Sequence, residues 1–355
     1  MSEVPAAWRA AALAPPFAHG GPVGRARLKA SESDFVVTER LGFGADGGEA
    51  HWLLKVEKRG CDTLAAARAL ARCAGVAPRD VGFAGLKDKV AVATQYFTMP
   101  ARRGVAPPQG EAAAGVRVLE ALPHSRKLRR GALAGNGFRI VLRDLEVDAG
   151  ALDERLARIA AEGVPNYFGA QRFGRNGRNL DAVARFAAGE RLPGGREPRA
   201  FVLSAARALI FNALLARRVA DGSWARLLPG ELVNLDGSGS FFAAEAIDAE
   251  LAARLARFDV HPTGPLAGRG SGAGGVAGAL ESEVLAPFAA LVDGLGAAGL
   301  RAQRRALRLR PEGLSAKQTD GALVLEFALP AGAYATVVVR ELVTVADAPG
   351  EPDDD

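Results

Sequence analysis

An aspartate between two lysines is the group in this sequence best placed to do chemistry. Asp88 follows a turn of small residues and stands between Lys87 and Lys89. The apolar runs at residues 81–86 and 90–99 predict two short strands on either side of this turn. A carboxylate in such a turn can point into a cleft, where the neighbouring ammonium groups hold it ionised and attract a polyanion. The alternative is a solvated surface turn without a function, because charged turns are common.

Aromatic and amide side chains in two loops suit contact with a nucleobase. Asn166 and Phe168 follow a predicted helix, and Tyr334 lies between a glycine and an apolar run. An aromatic ring can stack on a base, and an amide can hydrogen-bond to the polar edge of the base. The alternative for both rings, and for Phe35 in a predicted strand, is packing against the core.

Basic side chains are concentrated in two segments. Arg126, Lys127, Arg129 and Arg130 form the first, and residues 301–310 contain five arginines. The formal net charge of the chain is +5, which favours a polyanionic partner. Both segments suit contacts with phosphate groups, and the alternative is a solvated cationic face.

Signatures of several other chemistries are weak or missing in the sequence. Residues 42–47 fit the pattern Gly-x-Gly-x-x-Gly. A strand pattern follows where a dinucleotide loop needs a helix, so we interpret this segment as a hairpin loop. No Gly-x-x-x-x-Gly-Lys-Ser/Thr sequence occurs, and the four histidines are scattered without ligand spacing. We therefore expect no metal site and no cofactor.

Composition bounds the class of protein. The 355 residues, 49% of them hydrophobic, suffice for one large or two modest domains with a buried core. Two cysteines are too few for a disulfide framework, which predicts a reduced, cytoplasmic protein. No run of 18 apolar residues occurs, so we expect no membrane span, and the first residues do not resemble a secretory signal.

Hydrophobic periodicity predicts the elements that position these groups. The strand patterns occupy residues 35–40, 52–57, 138–145 and 322–329. The helix patterns occupy residues 64–73, 151–162 and about 203–220. Asp62 or Thr63 and Ser204 are the predicted N-terminal caps, and Gly75 and Gly163 the predicted ends.

The order of elements predicts an interrupted domain. A Pro/Gly/Arg-rich link at residues 190–198 leads into a helical region, and the strand pattern at 322–329 then returns to the first half. We therefore expect one domain to be inserted into another. The glycine-rich residues 262–278 predict a flexible surface loop.

Five segments, in order along the chain, resemble the TruD family of tRNA pseudouridine synthases. They cover residues 28–39, 82–97, 163–174, 201–212 and 329–342, and the second contains a Gly-x-Lys-Asp motif. Similarity spans about residues 25–343, and five ordered motifs are more specific than any one of them. Three features depart from the family: Leu86 replaces an expected glutamine, Tyr334 replaces a frequent phenylalanine, and residues 222–300 match weakly.

The resemblance implies an α+β fold. We expect a pseudouridine synthase core with a mixed, mainly antiparallel sheet, and an inserted α/β domain specific to the family. The expected bounds are residues 1–191 and 307–350 for the discontinuous catalytic domain, 192–306 for the insertion and 351–355 for an acidic tail. The implied partner is tRNA, and we expect a monomer with no membrane association and no obligate protein partner.

The resemblance also implies the reaction, which is isomerisation of uridine 13 of tRNA to pseudouridine through a catalytic aspartate, Asp88. In the family, the positions matching Phe35, Asn166 and Tyr334 contact the target uridine. The position matching Phe168 lies over the catalytic centre.

Charged residues near the catalytic aspartate follow from the same resemblance. Lys29 matches a basic residue close to the carboxylate, and Arg340 is an alternative charge partner. From their clustering in the sequence, and not from the resemblance, we expect Arg126, Lys127, Arg129 and Arg130 to bind RNA phosphates.

The chemistry of isomerisation leaves the role of the aspartate open. The C1′–N1 bond must break and C5 must join C1′, and Asp88 can attack C1′ or C6 or remove the C2′ proton. The target base must leave its stack, so the site needs an aromatic or apolar pocket. Two other classes are an RNA-binding module, which has no need of the carboxylate, and an N-glycoside hydrolase, which needs a second carboxylate.

Overall fold

The computed structural model of the chain describes residues 4–102, 107–270 and 272–346. Its α-helices in chain order are α1 (Ala6–Leu13), α2 (Thr63–Ala74), α3 (Ala149–Glu162), α4 (Arg178–Ala187), α5 (Arg196–Ala220), α6 (Ala249–Ala256), α7 (Gly275–Leu285), α8 (Ala289–Ala297) and α9 (Ala335–Leu342). Its strands are β1 (Gly24–Arg27), β2 (Phe35–Arg40), β3 (His51–Arg59), β4 (Gly82–Phe83), β5 (Val92–Pro100), β6 (Gly110–Ala113), β7 (Val116–His124), β8 (Gly135–Val147), β9 (Val164–Pro165), β10 (Glu231–Leu235), β11 (Phe241–Ala244), β12 (Val260–His261), β13 (Thr263–Leu266), β14 (Gln303–Ala306), β15 (Arg308–Leu309), β16 (Glu312–Thr319), β17 (Ala322–Pro330) and β18 (Val343–Ala346).

The chain packs into two compact units, each assembled from three stretches of sequence. They are unit 1, with Met1–Pro22, Asp153–Arg310 and Ala333–Leu342, and unit 2, with Val23–Leu152, Pro311–Gly332 and Val343–Asp355. The insertion predicted at residues 192–306 lies wholly within unit 1. The two units are defined by packing, whereas the predicted domains are defined by an inserted segment of sequence. The units therefore do not test the predicted domain bounds, which stay a prediction. The predicted tail at 351–355 lies outside the described residues.

Unit 2 is built on one large sheet. Its main path runs β16-β17-β8-β2-β5-β3-β7-β6, with β1, β18 and β4 beside it. The pairs β2–β5 and β1–β18 are parallel, and the other pairs are antiparallel. The mixed, mainly antiparallel sheet of an α+β fold is therefore confirmed. Because β4 and β5 pair, residues 84–91 form a loop between two paired strands.

The register of the sheet places polar residues on a buried face. Phe35 and Glu39 are buried and alternate with more exposed residues along β2. Val37, on the same side of β2, lies beside Ala93 of β5, and Lys58 of β3 lies opposite that Ala93. Since side chains alternate between the two faces of a strand, Lys58 shares the face of Phe35 and Glu39.

Helix α2 packs on this part of the sheet. Asp62 caps it by accepting a hydrogen bond from the N–H of Ala65, and Gly75 ends it in the left-handed region, as the sequence predicts. Leu70 of the helix and Phe97 of β5 belong to one buried apolar cluster. Burial of the apolar side of α2 therefore fixes its N-terminus over the sheet.

Three local predictions were wrong because distant parts of the chain decide the outcome. Residues 42–47 do not form a hairpin loop, since β5 lies between β2 and β3. Ser204 lies inside α5 and does not cap it. Residues 262–278 are not a single flexible loop, because they include β13, which pairs with β14, and the start of α7.

Unit 1 is arranged around α5. Buried residues of α5 share one apolar cluster with residues of α1, α4 and α8, including Trp8, Leu180, Leu209 and Leu291. In the described part of unit 1, three small sheets accompany the helices, and one of them is the antiparallel pair β9–β15. This pairing fixes the chain just before Asn166.

Among the described residues, two helical stretches of unit 1 are long and apolar enough to cross a membrane by length and composition, namely Glu197–Ala220 and Gly275–Ala297. In the first, which belongs to α5, 61% of the apolar window is buried, against 22% in the second. The second consists of α7, a 3₁₀ turn and α8. Core helices pass the same test, so the finding is weak evidence for a span.

Gly163 ends α3 where another strand approaches closely. Its φ is +80°, and a Cβ atom there would lie 2.5 Å from the carbonyl oxygen of Leu309. We expect Gly163→Ala to add about 1–2 kcal/mol of backbone strain to about 1–3 kcal/mol of overpacking. Scanning calorimetry will measure the resulting fall in the unfolding midpoint.

Gly189→Ala is the matched control for this prediction. Gly189 follows α4 with φ +85°, and no atom lies within 4 Å of the position of its Cβ. This variant should therefore show the backbone strain alone, with a smaller fall in the midpoint. Equal falls in the two variants would contradict the steric role of Leu309.

Candidate active site

Asp88 lies in the loop at residues 84–91 of unit 2 with an accessible carboxylate. Its side chain is 55% exposed, and Oδ2 accepts a hydrogen bond from Nζ of Lys29 at 2.8 Å. Of the two charge partners considered from the sequence, the structure pairs Lys29 with Asp88. An accessible carboxylate held by an ammonium group is suited to act as a nucleophile or a base.

Lys29 is held by an unusual backbone conformation and by an aromatic ring. Its φ is +56°, in the left-handed region that residues other than glycine rarely adopt. Nζ lies 4.6 Å from the centroid of the Phe35 ring, within cation–π range. Such backbone strain costs roughly 1–3 kcal/mol and clusters at functional sites. The conformation therefore supports a functional position for this ammonium group.

Phe35 is a core residue of unit 2. Its ring is buried and packs edge-on against Phe138, with centroids 6.2 Å apart. This is the packing role that the sequence left open for Phe35. Contact of its ring with a uridine stays a prediction.

A buried ion pair lies beneath the Asp88 loop. Lys87 Nζ donates to Glu39 Oε1 at 3.0 Å, and the two side chains are 7% and 0% exposed. The other oxygen of Glu39 accepts from the main-chain N–H of Tyr96 at 2.8 Å. Because both charges are out of water, each needs the other. Lys87 therefore supports the loop and does not offer an exposed charge to a polyanion, as the sequence had suggested.

Polar groups at the start of α2 complete this support. Thr63 Oγ1 accepts from the main-chain N–H of Lys87 at 2.9 Å and donates to Gln95 Oε1 at 3.0 Å. Gln95 Nε2 in turn donates to the carbonyl of Gly85 at 2.7 Å. Thr63 and Gln95 are both buried. The loop is thus fixed on both sides of Leu86, whose side chain is exposed.

Sequence reasoning missed these supporting residues. Glu39 occupies an inward position in the alternation of β2, where an apolar residue is expected. A charged residue at an apolar position of a predicted strand is the signal that could have found it. Its partner Lys87 could not be read from the sequence, because the pairing depends on the register between β2 and β5.

Asn166, Phe168 and Tyr334 lie together in unit 1, in a cluster with two arginines. The rings of Phe168 and Tyr334 have centroids 6.2 Å apart and planes at 64°. The guanidinium carbon of Arg305 lies 4.2 Å from the centroid of Phe168, and that of Arg172 lies 5.9 Å from each ring. The sequence indicated Arg305 only as part of a basic segment and did not indicate Arg172.

The side chain of Asn166 is bonded to the segment that carries Arg305. Nδ2 donates to the carbonyl of Ala306 at 2.9 Å, and Oδ1 accepts from Arg305 Nη2 at 2.6 Å. A primary amide has two N–H donors and two oxygen lone pairs. These two bonds therefore leave one donor and one lone pair of Asn166 for a further partner.

Asn212 of α5 fixes the main chain at Phe168. Its Oδ1 accepts from the N–H of Phe168 at 2.9 Å, and its Nδ2 donates to the carbonyl of Phe168 at 3.0 Å. The Phe168 ring meets the ring of Phe211 almost perpendicularly, with centroids 5.5 Å apart. Asn212 is fully buried, so its position in the helix determines where the loop and its aromatic ring lie.

The hydroxyl of Tyr334 orients Arg172. Arg172 donates to this oxygen through Nε at 2.9 Å and Nη2 at 2.6 Å, and through Nη1 to Ser204 Oγ at 3.3 Å. Burial lowers the pKa of Arg305 to about 10, which leaves its guanidinium charged at neutral pH. The cluster thus combines two aromatic rings with two cations, a combination suited to a nucleotide.

The four basic residues of the predicted phosphate-binding segment are all exposed, and they are Arg126, Lys127, Arg129 and Arg130. The guanidinium carbon of Arg130 lies 4.5 Å from the ring centroid of Phe83. The N–H of Gly131 donates to the carbonyl of Ala84 at 2.7 Å. The segment therefore joins the loop that carries Asp88, and its charges lie on the same unit.

Arg340 is bonded within unit 1. Its guanidinium donates to the carbonyls of Pro15 and Pro16 and lies 3.5 Å from a carboxylate oxygen of Glu341. Among the described residues, no group of three or more His, Cys, Asp and Glu side chains is arranged to hold a metal ion. Cys61 and Cys73 are both free thiols.

The Lys87–Glu39 pair generates a prediction about stability. Lys87→Met should destabilise unit 2 by about 3–5 kcal/mol, because it leaves the buried carboxylate of Glu39 without its cation. Urea denaturation followed by circular dichroism measures the loss.

Lys29→Met is the control with the same change of side chain. The Lys29–Asp88 pair is 23% and 55% exposed, and exposed pairs contribute at most about 1 kcal/mol. Equal losses in the two variants would show that burial of the Lys87–Glu39 pair does not matter.

The chain is similar to one family of known proteins over almost its whole length. A sequence model of the family tRNA pseudouridine synthase D (TruD) matches residues 17–189 and 196–342. A protein of Nitrosococcus oceani named tRNA pseudouridine synthase D is 48% identical over 344 residues, which are 95% of this chain and 96% of that protein. A protein of Methylococcus capsulatus with the same name is 46% identical over 342 residues, 95% of this chain and 96% of that protein.

The fold comparison agrees with the sequence comparison. A crystal structure of a Methanosarcina mazei protein assigned to TruD aligns with a TM-score of 0.71 over 97% of this chain and 99% of that one. At 21% identity, this similarity is evidence for the fold alone. The family match and the two relatives extend over almost the whole sequence, and the chain therefore belongs to the tRNA pseudouridine synthase D (TruD) family.

Proposed function

We propose that this chain isomerises uridine 13 of tRNA to pseudouridine, with Asp88 as the catalytic carboxylate. Family membership supports the class of reaction. The observation that carries the assignment of Asp88 is its geometry, an accessible carboxylate 2.8 Å from Lys29 on a loop with buried polar support. Catalysis requires both properties, because a reacting group must be accessible to the substrate and fixed in position.

The geometry suits each of the three routes open to the aspartate. Attack on C1′, attack on C6 and removal of the C2′ proton all require an unprotonated oxygen of Asp88 next to the substrate. Lys29 donates to Oδ2, and we propose that Oδ1 is the oxygen that reacts. Lys29 also compensates the negative charge of Asp88 when the substrate excludes water.

We propose that the cluster of unit 1 receives a nucleotide of the tRNA. Phe168 and Tyr334 offer rings for stacking on a base, and Asn166 offers an N–H donor and a lone pair for its polar edge. Arg172 offers a cation whose described hydrogen bonds go to neutral oxygens. A phosphate or a base carbonyl is the partner that such a group favours.

We also propose that the chain works in the cytoplasm as a monomer without an obligate protein partner. Its reduced cysteines are consistent with such a compartment. Light scattering of the purified protein, alone and with tRNA, tests the oligomeric state.

Asp88→Asn should abolish turnover and leave tRNA binding within about threefold of wild type, because the amide keeps the shape and loses the reactive charge. The assay is release of tritium from tRNA labelled at C5 of uridine, since C5 must lose its hydrogen when it joins C1′. Turnover within tenfold of wild type would remove Asp88 from the chemistry.

The same assay separates the proposed reaction from the alternatives. A transcript with cytidine at position 13 should release no tritium, and release from it would refute the choice of uridine 13. Free uracil in the products would indicate an N-glycoside hydrolase. Tight binding of tRNA without either product would indicate an RNA-binding module.

The basic segment at residues 126–130 should bind phosphates of the tRNA. Replacing Arg126 and Arg129 by alanine should weaken binding to all tRNAs alike, because phosphates carry no sequence information. Each lost contact should reduce the log–log salt slope by roughly 0.7–0.9. Filter binding between low and moderate salt measures both quantities.

The control is a second double variant with the same loss of charge. Arg68 and Arg72 are exposed on α2 of the same unit, and their replacement by alanine changes the net charge equally. A smaller effect there would show that position matters as well as charge. An unchanged slope and affinity in the Arg126/Arg129 variant would exclude the segment from the RNA-binding surface.

A further inference from the structure

Lys58 is a charged residue in a place where charge is costly. Its side chain is fully buried on the face of β3 that carries the polar support of the Asp88 loop. Burial lowers the pKa of its ammonium group. Removing an ammonium ion from water costs several kcal/mol unless its new partners compensate. The partners of Lys58 therefore indicate what its burial achieves.

Both described hydrogen bonds of this ammonium group go to main-chain carbonyls. Nζ donates to the carbonyl of Asp88 at 2.6 Å and to the carbonyl of Cys61 at 2.7 Å. Cys61 directly precedes Asp62, the cap of α2. Lys58 thus joins the start of a helix to the main chain of the candidate catalytic residue itself, whereas the Lys87–Glu39 pair acts one residue earlier.

We propose that Lys58 is a positioning residue for the reaction, one that holds the main chain of Asp88 so that its carboxylate stays beside Lys29. This inference rests on the proposed function of Asp88. Lys58 touches no reacting atom in this role. Its ammonium group fixes the carbonyl of Asp88, and the carboxylate, on the other side of the same residue, is left free for substrate and for Lys29.

The bond pattern favours this role over a general contribution to folding. If Lys58 only filled space in the core, methionine would fill the same space at a lower free-energy cost, because methionine buries no charge. Charge-assisted bonds to carbonyls are about twice as strong as neutral ones. Lys58 makes two such bonds, to carbonyls far apart in sequence. Together they specify a conformation of the Asp88 loop that apolar packing would leave undefined.

The test is the single-turnover rate of Lys58→Met with enzyme in excess over tritiated tRNA. The expected result is a fall of about 10–100-fold, because small displacements of a reacting group cost this much. The dissociation constant for tRNA should stay within about threefold of wild type, since Lys58 makes no substrate contact. Lys58→Arg, which keeps the charge and the N–H donors, should retain more of the rate than Lys58→Met.

Lys55→Met is the matched control. Lys55 lies on the same strand as Lys58 but on the opposite face of the sheet, where it is only partly buried. Its replacement by methionine removes the same charge. Its single-turnover rate should equal that of wild type. Circular dichroism and the unfolding midpoint of each variant establish that the protein is folded at the assay temperature.

Each outcome decides the matter. A wild-type rate in folded Lys58→Met overturns the inference, as does a loss confined to tRNA affinity or to the unfolding midpoint. If neither Lys58 variant folds, the inference is also overturned, because that result assigns Lys58 a role in folding.

Asp88→Asn, measured in parallel, separates a failure of this inference from a failure of the proposed function. If it is inactive while Lys58→Met is fully active, only the role of Lys58 fails. If Asp88→Asn turns over, the proposed role of Asp88 fails first.

Discussion

A reactive carboxylate must be exposed to its substrate while the main chain that carries it stays fixed. In unit 2 the candidate for such a group is Asp88, and the buried network of Glu39, Lys87, Thr63 and Gln95 fixes the loop that carries it. A loop of this kind cannot be held by apolar packing alone, because Leu86, its largest apolar side chain, is exposed. Buried hydrogen bonds and ion pairs supply the constraint, since their geometry is specific and their disruption is costly.

The sequence predicted those parts of the fold that depend on neighbouring residues. Strand β2 coincides with the predicted strand, and α2 begins at the predicted cap and ends at Gly75. Caps and alternation are local signals, so one segment contains all the information that they need. Asp88 was singled out from its turn between two lysines, whereas its catalytic role and the position of Lys29 beside it came from the ordered family motifs.

The remaining features depend on contacts between segments far apart in sequence. The position of β5 between β2 and β3 cannot be read from the loop that joins β2 to β3, which is why that loop resembled a hairpin. The same register brings Lys87 to Glu39. Polar residues at inward positions could have been noticed in the sequence, but their partners become known only when the sheet order is known.

The two units hold their candidate functional side chains by different physical means. In unit 2, lysines pair with a carboxylate or with carbonyls, because a compact ammonium ion is strongly hydrated and needs strong acceptors when buried. In unit 1, Arg172 and Arg305 lie against the rings of Phe168 and Tyr334, which a planar, weakly hydrated guanidinium permits. The described hydrogen bonds of Arg172 go to the hydroxyl oxygens of Tyr334 and Ser204. Unit 1 therefore orients this cation with neutral acceptors, whereas unit 2 orients Lys87 with a buried carboxylate.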